Sequence, residues 1–318
     1  MACDLSVVIC AYTDDRWEDL VASATSVLTQ RVPPAELIVV IDHNEHLLAK
    51  AAEQLPGAKV IPNTGPKGLS GARNTGVGAS SSTVVAFLDD DATAESDWTS
   101  HLLAPYSDPD VLGVGGWAVP EWVDGEPSWM PEEFYWVVGC SYRGLPTSTA
   151  PVRNLIGCNM SVRRDVLDAV GGFDVDLGRT ADRPLGCEET ELCIRATDLH
   201  PGGRFMLEPR AVVHHRVPGT RTRWRYFRDR CRAEGVSKAW VTRRVGSGSG
   251  LSSERAHAVR ALPLGVLRAL GSTRLNDLSG LARAVAIVAG LYYTSTSYLI
   301  ESRKQATDSH EVPDAVAT

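Results

Sequence analysis

Three consecutive carboxylates, Asp89, Asp90 and Asp91, directly follow the apolar run VVAFL at the end of a predicted strand. Three negative charges at the end of a buried strand repel one another unless they share a cation, and carboxylate oxygens suit Mg²⁺ or Mn²⁺. Such ions usually take some of their ligands from substrate phosphates. The cluster therefore predicts a divalent-metal site that holds a phosphate-bearing ligand. The alternative is a solvated turn, where aspartates are also favoured.

A second acidic cluster, Glu188, Glu189 and Glu191, lies in the segment GCEETELCIR. On a helix Glu188 and Glu191 share a face, whereas Glu189 points about 100° away. A carboxylate within hydrogen-bond reach of an acceptor hydroxyl can act as the general base for its attack. The alternative is a helix N-terminus enriched in acids, which the helix dipole favours by itself.

A glycine-rich segment, GPKGLSGARNTG at 65–76, and a histidine pair supply further candidates. Glycines let the backbone approach a ligand, Arg73 could offer a planar fork to a diphosphate, and Asn74 could bond ribose or phosphate oxygens. The alternative is a loop before a capped helix. His214 and His215 follow an alternating stretch, so we expect them on opposite faces of a strand, where one could complete a metal shell.

The elements that must position these residues alternate between strands and helices. Apolar runs rich in β-branched residues predict buried strands at 5–12, 36–42 and 83–91. Helical patterns occur at 17–30, 162–170 and 188–197. This alternation predicts an α/β fold with a mainly parallel sheet, in which ligands bind beyond the carboxyl ends of the strands. The Trp-, Gly- and Pro-rich stretch 113–151 shows no clean period, which indicates loops that shape a pocket.

The composition is that of a globular protein, with 318 residues, 43% of them hydrophobic, and a formal net charge of -7. This charge argues against nucleic acid as a partner. The seven cysteines are odd in number and lack any CxxC pair, which predicts free thiols. No basic and apolar leader precedes the first strand, so the sequence predicts a cytoplasmic protein.

The segments VVICAY, ELIVVID, GLSGARNTG, FLDDDA, GCNMSVRR…VGGFD, CEETEL and VVHHRVP, in this order and spacing, together resemble family 2 of the glycosyltransferases. The resemblance covers residues 5 to about 240. It implies the A-type nucleotide-sugar-binding fold, with a mainly parallel central sheet flanked by helices. It also implies transfer of a sugar, with inversion, from a UDP, GDP or dTDP donor to an acceptor hydroxyl, with Mn²⁺ or Mg²⁺ as cofactor.

The resemblance implies a set of donor-binding positions near the strand ends. Ala11, Tyr12 and Asp42 match the positions that contact the nucleobase. Arg73 and Asn74 match contacts near the ribose and the diphosphate. In this picture Arg73 helps to neutralise the charge that develops on the leaving diphosphate.

The aspartate triplet matches the DxD motif of the family. Asp89 is then the residue near the ribose, Asp90 lies between the two ends of the motif, and Asp91 binds the metal through the diphosphate. His215 matches the metal-binding histidine because it precedes Val217 and Pro218 by two and three residues, and His214 is the alternative.

The resemblance also implies the catalytic and acceptor positions. The family usually has Glu-Asp where this chain has Glu188 and Glu189, and the second residue is the base, so Glu189 is the candidate. Its longer side chain is a departure from the family pattern. Trp117 and Asn159 are expected to line the sugar or acceptor site, with core packing as the alternative for Trp117.

The C-terminal third changes in composition. Residues 216–244 hold nine Arg and one Lys against two acidic residues, the run GSGSGLSS at 246–253 predicts a flexible link, and 255–303 predicts two helices. We therefore expect a catalytic domain at 1–220 and a helical extension at 221–318 that faces a membrane or a partner, including a second copy. The 20 apolar-rich residues 281–300 contain Arg283 and several Ser and Thr, which favours a docked or interfacial helix over a membrane span.

Two other classes of function share some of these features. A nucleotidylyltransferase would carry a Gly-rich, Lys-containing motif after the first strand, where this chain has CAYTDDR. A non-catalytic sugar-binding protein would not need both acidic clusters. The acceptor is open at this stage among a glycan, a lipid-linked sugar and a small molecule.

Overall fold

A computed structural model describes residues 4–177, 186–246, 257–274 and 277–310 of the chain. In this part of the chain nine strands form one sheet in the order β3-β2-β1-β4-β8-β6-β9-β5, with β7 paired to β9. The strands are β1 (Leu5–Ala11), β2 (Glu36–Ile41), β3 (Lys59–Pro62), β4 (Val84–Asp89), β5 (Ala92–Ala94), β6 (Val111–Trp122), β7 (Ala150–Val152), β8 (Asn159–Arg163) and β9 (Arg204–Val217).

The first half of the sheet is parallel. β1 pairs in parallel with β2 and β4, and β2 pairs in parallel with β3. β1 and β4 are buried on both faces because helices cover each side of the sheet, which explains their nearly continuous apolar sequences. The strands predicted at 5–12, 36–42 and 83–91 are thereby confirmed, and their carboxyl ends meet at one edge.

The second half of the sheet is mixed, and it contains a strand that the sequence analysis read as loop. β8 is antiparallel to both β4 and β6, while β6 runs parallel to β9. The glycines of β6 have a packing reason: a Cβ on Gly113 would meet the carbonyl oxygen of Ser161 at 2.6 Å, and one on Gly116 would meet that of Ala211 at 2.0 Å. Glycine here permits close strand approach, so reading it as a loop signal was wrong for residues 113–122.

The helices are α1 (Trp17–Leu28), α2 (Glu45–Gln54), α3 (Leu69–Ala79), α4 (Trp98–Leu103), α5 (Arg164–Val170), α6 (Glu188–Leu199), α7 (Trp224–Val245), α8 (Leu262–Gly271) and α9 (Ser279–His310). α1, α2 and α4 pack on one face of the sheet, and α3, α5 and α6 pack on the other. The predicted helices at 17–30 and 188–197 are confirmed. The helix expected from residue 162 begins at Arg164, because residues 162 and 163 end β8.

α7, α8 and α9 follow the sheet and pack on the segment that connects β6 to β7. An apolar cluster joins Phe134 and Val137 of that segment with Phe227 of α7, Leu262 of α8 and Ile287 of α9. The two predicted C-terminal helices are thus confirmed, whereas residues 247–253 of the predicted link lie outside the described residues. In the described ranges, no helix has both the length and the hydropathy needed to cross a bilayer.

Candidate active site

A cavity of about 1150 Å³ opens at the carboxyl ends of β1, β2 and β4. Its volume lies just above the roughly 300–1,000 Å³ that is typical of ligand pockets, so it has room for a large ligand. The N-terminal turn of α6 and the C-terminal helices complete its wall. Residues of both acidic clusters line it, namely Asp89, Asp90, Asp91, Glu188 and Glu189.

Three side chains form a candidate metal centre at the bottom of this cavity. Asp89, Asp91 and His215 each offer one ligand atom, and these atoms lie within 4.8 Å of one another. β9 reaches the end of β4 because it pairs with β5, which places His215 opposite Ala92. His214 points to the other side, with Nε2 3.2 Å from a Glu95 carboxylate oxygen. The structure therefore places His215, and not His214, beside the aspartates.

The charges at this centre are closely coupled. Burial raises the pKa of Asp90 to about 7, with help from the neighbouring carboxylates and against the effect of Arg16. Burial would also raise the pKa of Asp91, but His215 and nearby guanidinium groups outweigh it and hold that pKa well below its usual range. Burial would lower the pKa of His215, whereas Asp91, 3.1 Å from Nε2, raises it to about 10. Positive charge thus stabilises the aspartates from several sides.

The residues present fit a divalent cation. Carboxylate oxygens with one imidazole nitrogen form a donor set that suits Mn²⁺ and can accept Mg²⁺. The Oδ2 atom of Asp90 is buried and has no hydrogen-bond partner among the described residues. A buried oxygen of this kind needs a polar or charged partner, which a cation or its bound water can supply.

Two arginines that the sequence analysis did not name reach the aspartates. Arg16 Nη1 lies 2.6 Å from Asp90 Oδ1 and 3.2 Å from Asp91 Oδ2, and Arg221 Nη2 lies 3.3 Å from Asp91 Oδ2. Arg16 belongs to the short turn Asp14–Arg16 after β1, and Arg221 lies three residues before the start of α7. No local pattern distinguishes either from the other arginines of the chain.

Arg73, a predicted donor contact, lines the cavity and is held by protein oxygens. Its side chain is 2% exposed, and Nη1 donates to Glu188 Oε1 at 3.0 Å. Nη2 donates to the carbonyl of Gly157 at 2.9 Å and lies 3.5 Å from Asp89 Oδ1. Arg73 therefore connects the two acidic clusters, and its guanidinium is already engaged by protein oxygens.

Glu189 is the second residue of α6 and faces the cavity. Burial, together with the Glu188 carboxylate, raises the pKa of Glu189 to about 8. The helix starts after Cys187, whose φ of 73° lies in the left-handed region that favours glycine. Glu191 points elsewhere and accepts from Arg195 Nη2 at 2.7 Å. A carboxylate with a pKa near the working pH is well matched to general-base chemistry.

The predicted nucleobase positions lie on the wall of the same cavity. Ala11, Tyr12 and Asp42 all line it; Tyr12 is 52% exposed, and its hydroxyl accepts from Arg16 Nη2 at 3.0 Å. The carboxylate of Asp42 accepts from the backbone N–H of Gly68 at 2.9 Å and from Asn63 Nδ2 at 2.6 Å. Asp42 thus holds the glycine-rich loop against the end of β2.

Asn74, Trp117 and Asn159, for which donor or acceptor contacts are predicted, do not line the described cavity. Asn74 bonds the backbone of Phe173 through both ends of its amide, each at 2.8 Å. Asn159 is fully buried and accepts from Trp98 Nε1 at 2.8 Å. Trp117 lies within β6, and its carbonyl accepts from Asn159. In the structure the two amides bond backbone and core groups.

The far wall of the cavity was not foreseen. Tyr226, Arg230, Glu234 and Lys238 follow one another at four-residue intervals along α7, and all four line the cavity. This spacing puts them on one face of the helix. The basic composition of the segment was visible in the sequence, and the four-residue spacing is the signal that could have identified this face.

Aromatic and apolar residues form the remainder of that wall. Phe134, Trp136 and Tyr142 come from the segment between β6 and β7, so this part of the Trp-rich stretch does shape the pocket. Leu262 of α8 and Leu291 of α9 also line it. The C-terminal helices are therefore part of the site and not only an appendage to it.

Comparison with known proteins gives a consistent result. The family model described as "Glycosyl transferase family 2" matches residues 6–171. A relative from Haloferax volcanii, named "Glucosyl-dolichyl phosphate glucuronosyltransferase", is 37% identical over 238 residues, which cover 74% of this chain and 76% of the relative. The matched family segment includes the aspartate triplet and ends before α6.

Two solved structures share the fold. One is a mannosyltransferase from Pyrobaculum calidifontis in complex with GDP-Man and Mn²⁺, with a TM-score of 0.59 and 16% identity, over 98% of this chain and 89% of that one. The other is GalNAc-T7 with UDP, GalNAc and Mn²⁺, with a TM-score of 0.51 and 16% identity, over 98% of this chain and 59% of that one. At 16% identity, the similarity to these two structures shows a shared fold and nothing about function.

Proposed function

Since the chain belongs to family 2 of the glycosyltransferases, we propose that it transfers a hexose from a nucleoside diphosphate donor to an acceptor hydroxyl with inversion and with a divalent cation. The observation that carries this proposal is the shared cavity. Asp89 and Asp91, with His215, line the same cavity as Glu189, and Arg73 bridges the two acidic groups. Neither a nucleotidylyltransferase nor a non-catalytic binding protein needs a second carboxylate opposite the metal centre.

The donor side of the mechanism uses the strand-end residues. Asp89, Asp91 and His215 would hold Mn²⁺ or Mg²⁺, which when bound neutralises charge on the leaving diphosphate. Arg16 and Arg221 contact the same aspartates and add positive charge beside them. Ala11, Tyr12 and Asp42 line the end of the cavity that is left for the nucleoside.

The acceptor side uses Glu189. Its carboxylate accepts the proton of the acceptor hydroxyl as the acceptor oxygen attacks the anomeric carbon. The new bond from carbon to the acceptor oxygen forms as the bond to the phosphate oxygen breaks, and the nucleoside diphosphate leaves. One in-line displacement inverts the configuration of that carbon without a covalent sugar-enzyme intermediate. Arg73 holds Glu188 beside the base by a hydrogen bond and links the two acidic clusters.

We further propose that the acceptor sugar is carried on a lipid phosphate. The support comes from the relative from Haloferax volcanii, which is named as a glucuronosyltransferase that acts on a glucosyl-dolichyl phosphate. Apolar side chains from α8 and α9 at the far end of the cavity suit a lipid chain.

A peripheral contact with a membrane fits this acceptor. α8 and α9 both pack on the segment 128–138, so their outward faces point away from it. Large apolar residues on these faces are exposed: Leu264, Leu267, Leu270, Leu278, Leu281, Val285, Val288 and Tyr292. Residues 257–300 carry four Arg and one Asp, in a chain whose net charge is -7. An apolar face with local positive charge is typical of a surface that binds anionic lipid.

The test of the proposed function is release of nucleoside diphosphate from a panel of UDP-, GDP- and dTDP-sugars. The panel is run with Mn²⁺, with Mg²⁺ and with EDTA, and NMR of the product gives its anomeric configuration. We expect one donor class to turn over only with metal and to yield an inverted product. Turnover that persists in EDTA, or a retained configuration, would contradict the proposal. Asp91→Asn should behave like the EDTA sample even when Mn²⁺ is in excess.

A further inference from the structure

The imidazole ring of His215 makes a polar contact at each of its two nitrogens. Nε2 lies 3.1 Å from Asp91 Oδ1 at the candidate metal centre, and Nδ1 lies 3.6 Å from Cys140 Sγ on the other side of the ring. Both side chains are buried, since His215 is 3% exposed and Cys140 is 0% exposed. The structure therefore places a thiol at the histidine nitrogen that faces away from the aspartates.

Backbone hydrogen bonds hold Cys140 in this position. Its N–H donates to the carbonyl of Tyr135 at 3.1 Å. The next residue, Ser141, donates from its N–H to the carbonyl of Ala118 in β6, and its hydroxyl accepts from the N–H of Ala118, each at 2.9 Å. β6 pairs with β9, the strand that carries His215. The thiol and the imidazole are therefore both attached to the same part of the sheet.

Gly139, the residue before Cys140, brings the backbone close to the imidazole ring. A Cβ at Gly139 would lie 3.2 Å from His215 Cε1, and the φ of 83° lies in the left-handed region that favours glycine. The carbonyl of Gly139 accepts from Cys158 Sγ at 3.3 Å, which fixes the turn from the other side. A side chain at this position would press on the ring, so glycine allows the turn to lie against it.

The direction of these hydrogen bonds determines which imidazole nitrogen can bind a cation. Cys140 Sγ lies 3.9 Å from the carbonyl oxygen of Val138, to which its S–H can donate. The sulfur lone pairs can then accept the Nδ1–H of His215. A histidine whose hydrogen is on Nδ1 presents the lone pair of Nε2, and Nε2 is the atom that faces Asp91.

We propose that Cys140 is a positioning residue for the metal centre. Its sulfur accepts from the Nδ1–H of His215, which holds the imidazole in the tautomer and the orientation in which Nε2 binds the cation. This inference rests on the proposed function for the presence of a cation. Asp90 Oδ2, which is buried and has no hydrogen-bond partner among the described residues, independently indicates a cation at this centre. A thiol in this place differs from the usual carboxylate, carbonyl or water partner of a metal-binding histidine.

The experiment measures the Kd of Mn²⁺ for the full-length protein by electron paramagnetic resonance, alone and with UDP, GDP or dTDP present. Cys140→Val and Cys140→Ala remove the acceptor and should raise this Kd about tenfold to a hundredfold, as is typical when the partner of a metal-binding histidine is lost. Cys140→Ser keeps an acceptor, so its Kd should stay within about threefold of the wild-type value. This rescue separates a hydrogen bond from packing, because serine fills the space less well than valine does.

The matched control is Cys231→Val, the same substitution at a cysteine that is also 0% exposed and packs with Phe134 and Leu262 in an apolar cluster. It should leave the Kd of Mn²⁺ unchanged. A second measurement needs no variant at Cys140. In the Mg²⁺ form of protein labelled with ¹⁵N-histidine, NMR should show the Nδ1–H tautomer of His215, whose signal is assigned by its loss in His215→Gln. Packing alone would not select this tautomer.

Three results would overturn this role of Cys140. They are an unchanged Mn²⁺ affinity in Cys140→Val and Cys140→Ala, a Cys140→Ser variant that binds Mn²⁺ as weakly as Cys140→Ala, and an Nε2–H tautomer of His215 in the Mg²⁺ form. If turnover requires Mn²⁺ and one of these results is obtained, only the role of Cys140 fails. If no donor turns over while the Mn²⁺ affinities follow the expected order, the proposed function fails and the role of Cys140 stands. A wild type that binds no Mn²⁺ in any of these mixtures would contradict both.

Discussion

The cavity has two halves built in different ways. The donor half is made at the ends of β1, β2, β4 and β9, where sheet pairing holds the exposed fractions of Asp90, Asp91 and His215 at 7% or less. The acceptor half is made by α7, α8 and α9, which leave residues such as Leu267 66% exposed on their outer faces. The family match covers residues 6–171, most of the donor half and none of these helices. The proposed donor side is thus built mostly by the sheet, and we propose that the helices that follow it select the acceptor.

The largest effect is expected from substitution of Glu189, the proposed general base, which should affect the acceptor half of the cavity and not the donor half. Glu189→Gln should lower kcat by about 10²–10⁴-fold, because the acceptor hydroxyl loses its proton acceptor. Donor binding, measured by calorimetry with Mn²⁺ present, should remain within about twofold. Asp198→Asn, on the exposed side of the same helix, is the control and should keep full activity. A Glu189→Gln variant that fails to bind donor would place Glu189 in the donor half and contradict its role as the base for the acceptor.

The next effect concerns the residue that joins the halves. Arg73→Met leaves the buried Glu188 carboxylate without its guanidinium partner, which should lower the free energy of unfolding by about 3–5 kcal/mol. Urea denaturation measures this change. Arg31→Met removes an arginine that is 71% exposed and paired with Asp97, so it should change stability by less than about 1 kcal/mol. Equal stability of the two variants would show that Arg73 does not hold the clusters together.

The pH dependence tests the environment of the base. The pKa of Glu189 is raised to about 8 from 4.5, so the ionised base and the rate for the acceptor should increase as pH rises through about 8. The stability of the fold depends on pH in the opposite direction. The stability associated with protonated Glu189 is complete below pH 4.5 and is lost as pH rises through about 8. Glu189→Gln should therefore melt above the wild type at pH 9, and by less at pH 6. Parallel melting curves at the two pH values would contradict a raised pKa.

Substitutions on the outer face of α8 should have the smallest effect on turnover, but they should clearly weaken binding to a membrane. Leu264→Ser with Leu267→Ser removes two side chains that are 59% and 66% exposed, so the core should be unaffected. Co-sedimentation with vesicles that contain anionic lipid should fall several-fold, while the rate with a water-soluble acceptor stays unchanged. If the wild type does not sediment with vesicles but the double variant changes from dimer to monomer in gel filtration, the face binds a second copy.

Much of the donor half could be predicted from the sequence. Buried parallel strands give continuous apolar runs, and polar residues that follow such runs meet at one sheet edge, which is how Asp89 to Asp91 were identified. The helix that carries Glu188 and Glu189 was also predicted correctly. Alternation along β9 placed His214 and His215 on opposite faces, and this arrangement is observed. These features follow from local periodicity, which a single sequence contains.

Other features depend on contacts between residues that are far apart in the chain. Tertiary packing decided that His215 reaches Asp91, that Arg73 bonds Glu188 across 115 positions, and that Asn159 serves the core. The strand β6 was missed because its glycines look like loop residues in the sequence, whereas in the fold they allow close packing against neighbouring strands. The sequence showed that α7 is basic, but only the fold showed that Arg230 and Lys238 face the cavity. Local patterns determine which elements form and what they carry, whereas burial and charge pairing exist only once distant elements pack together.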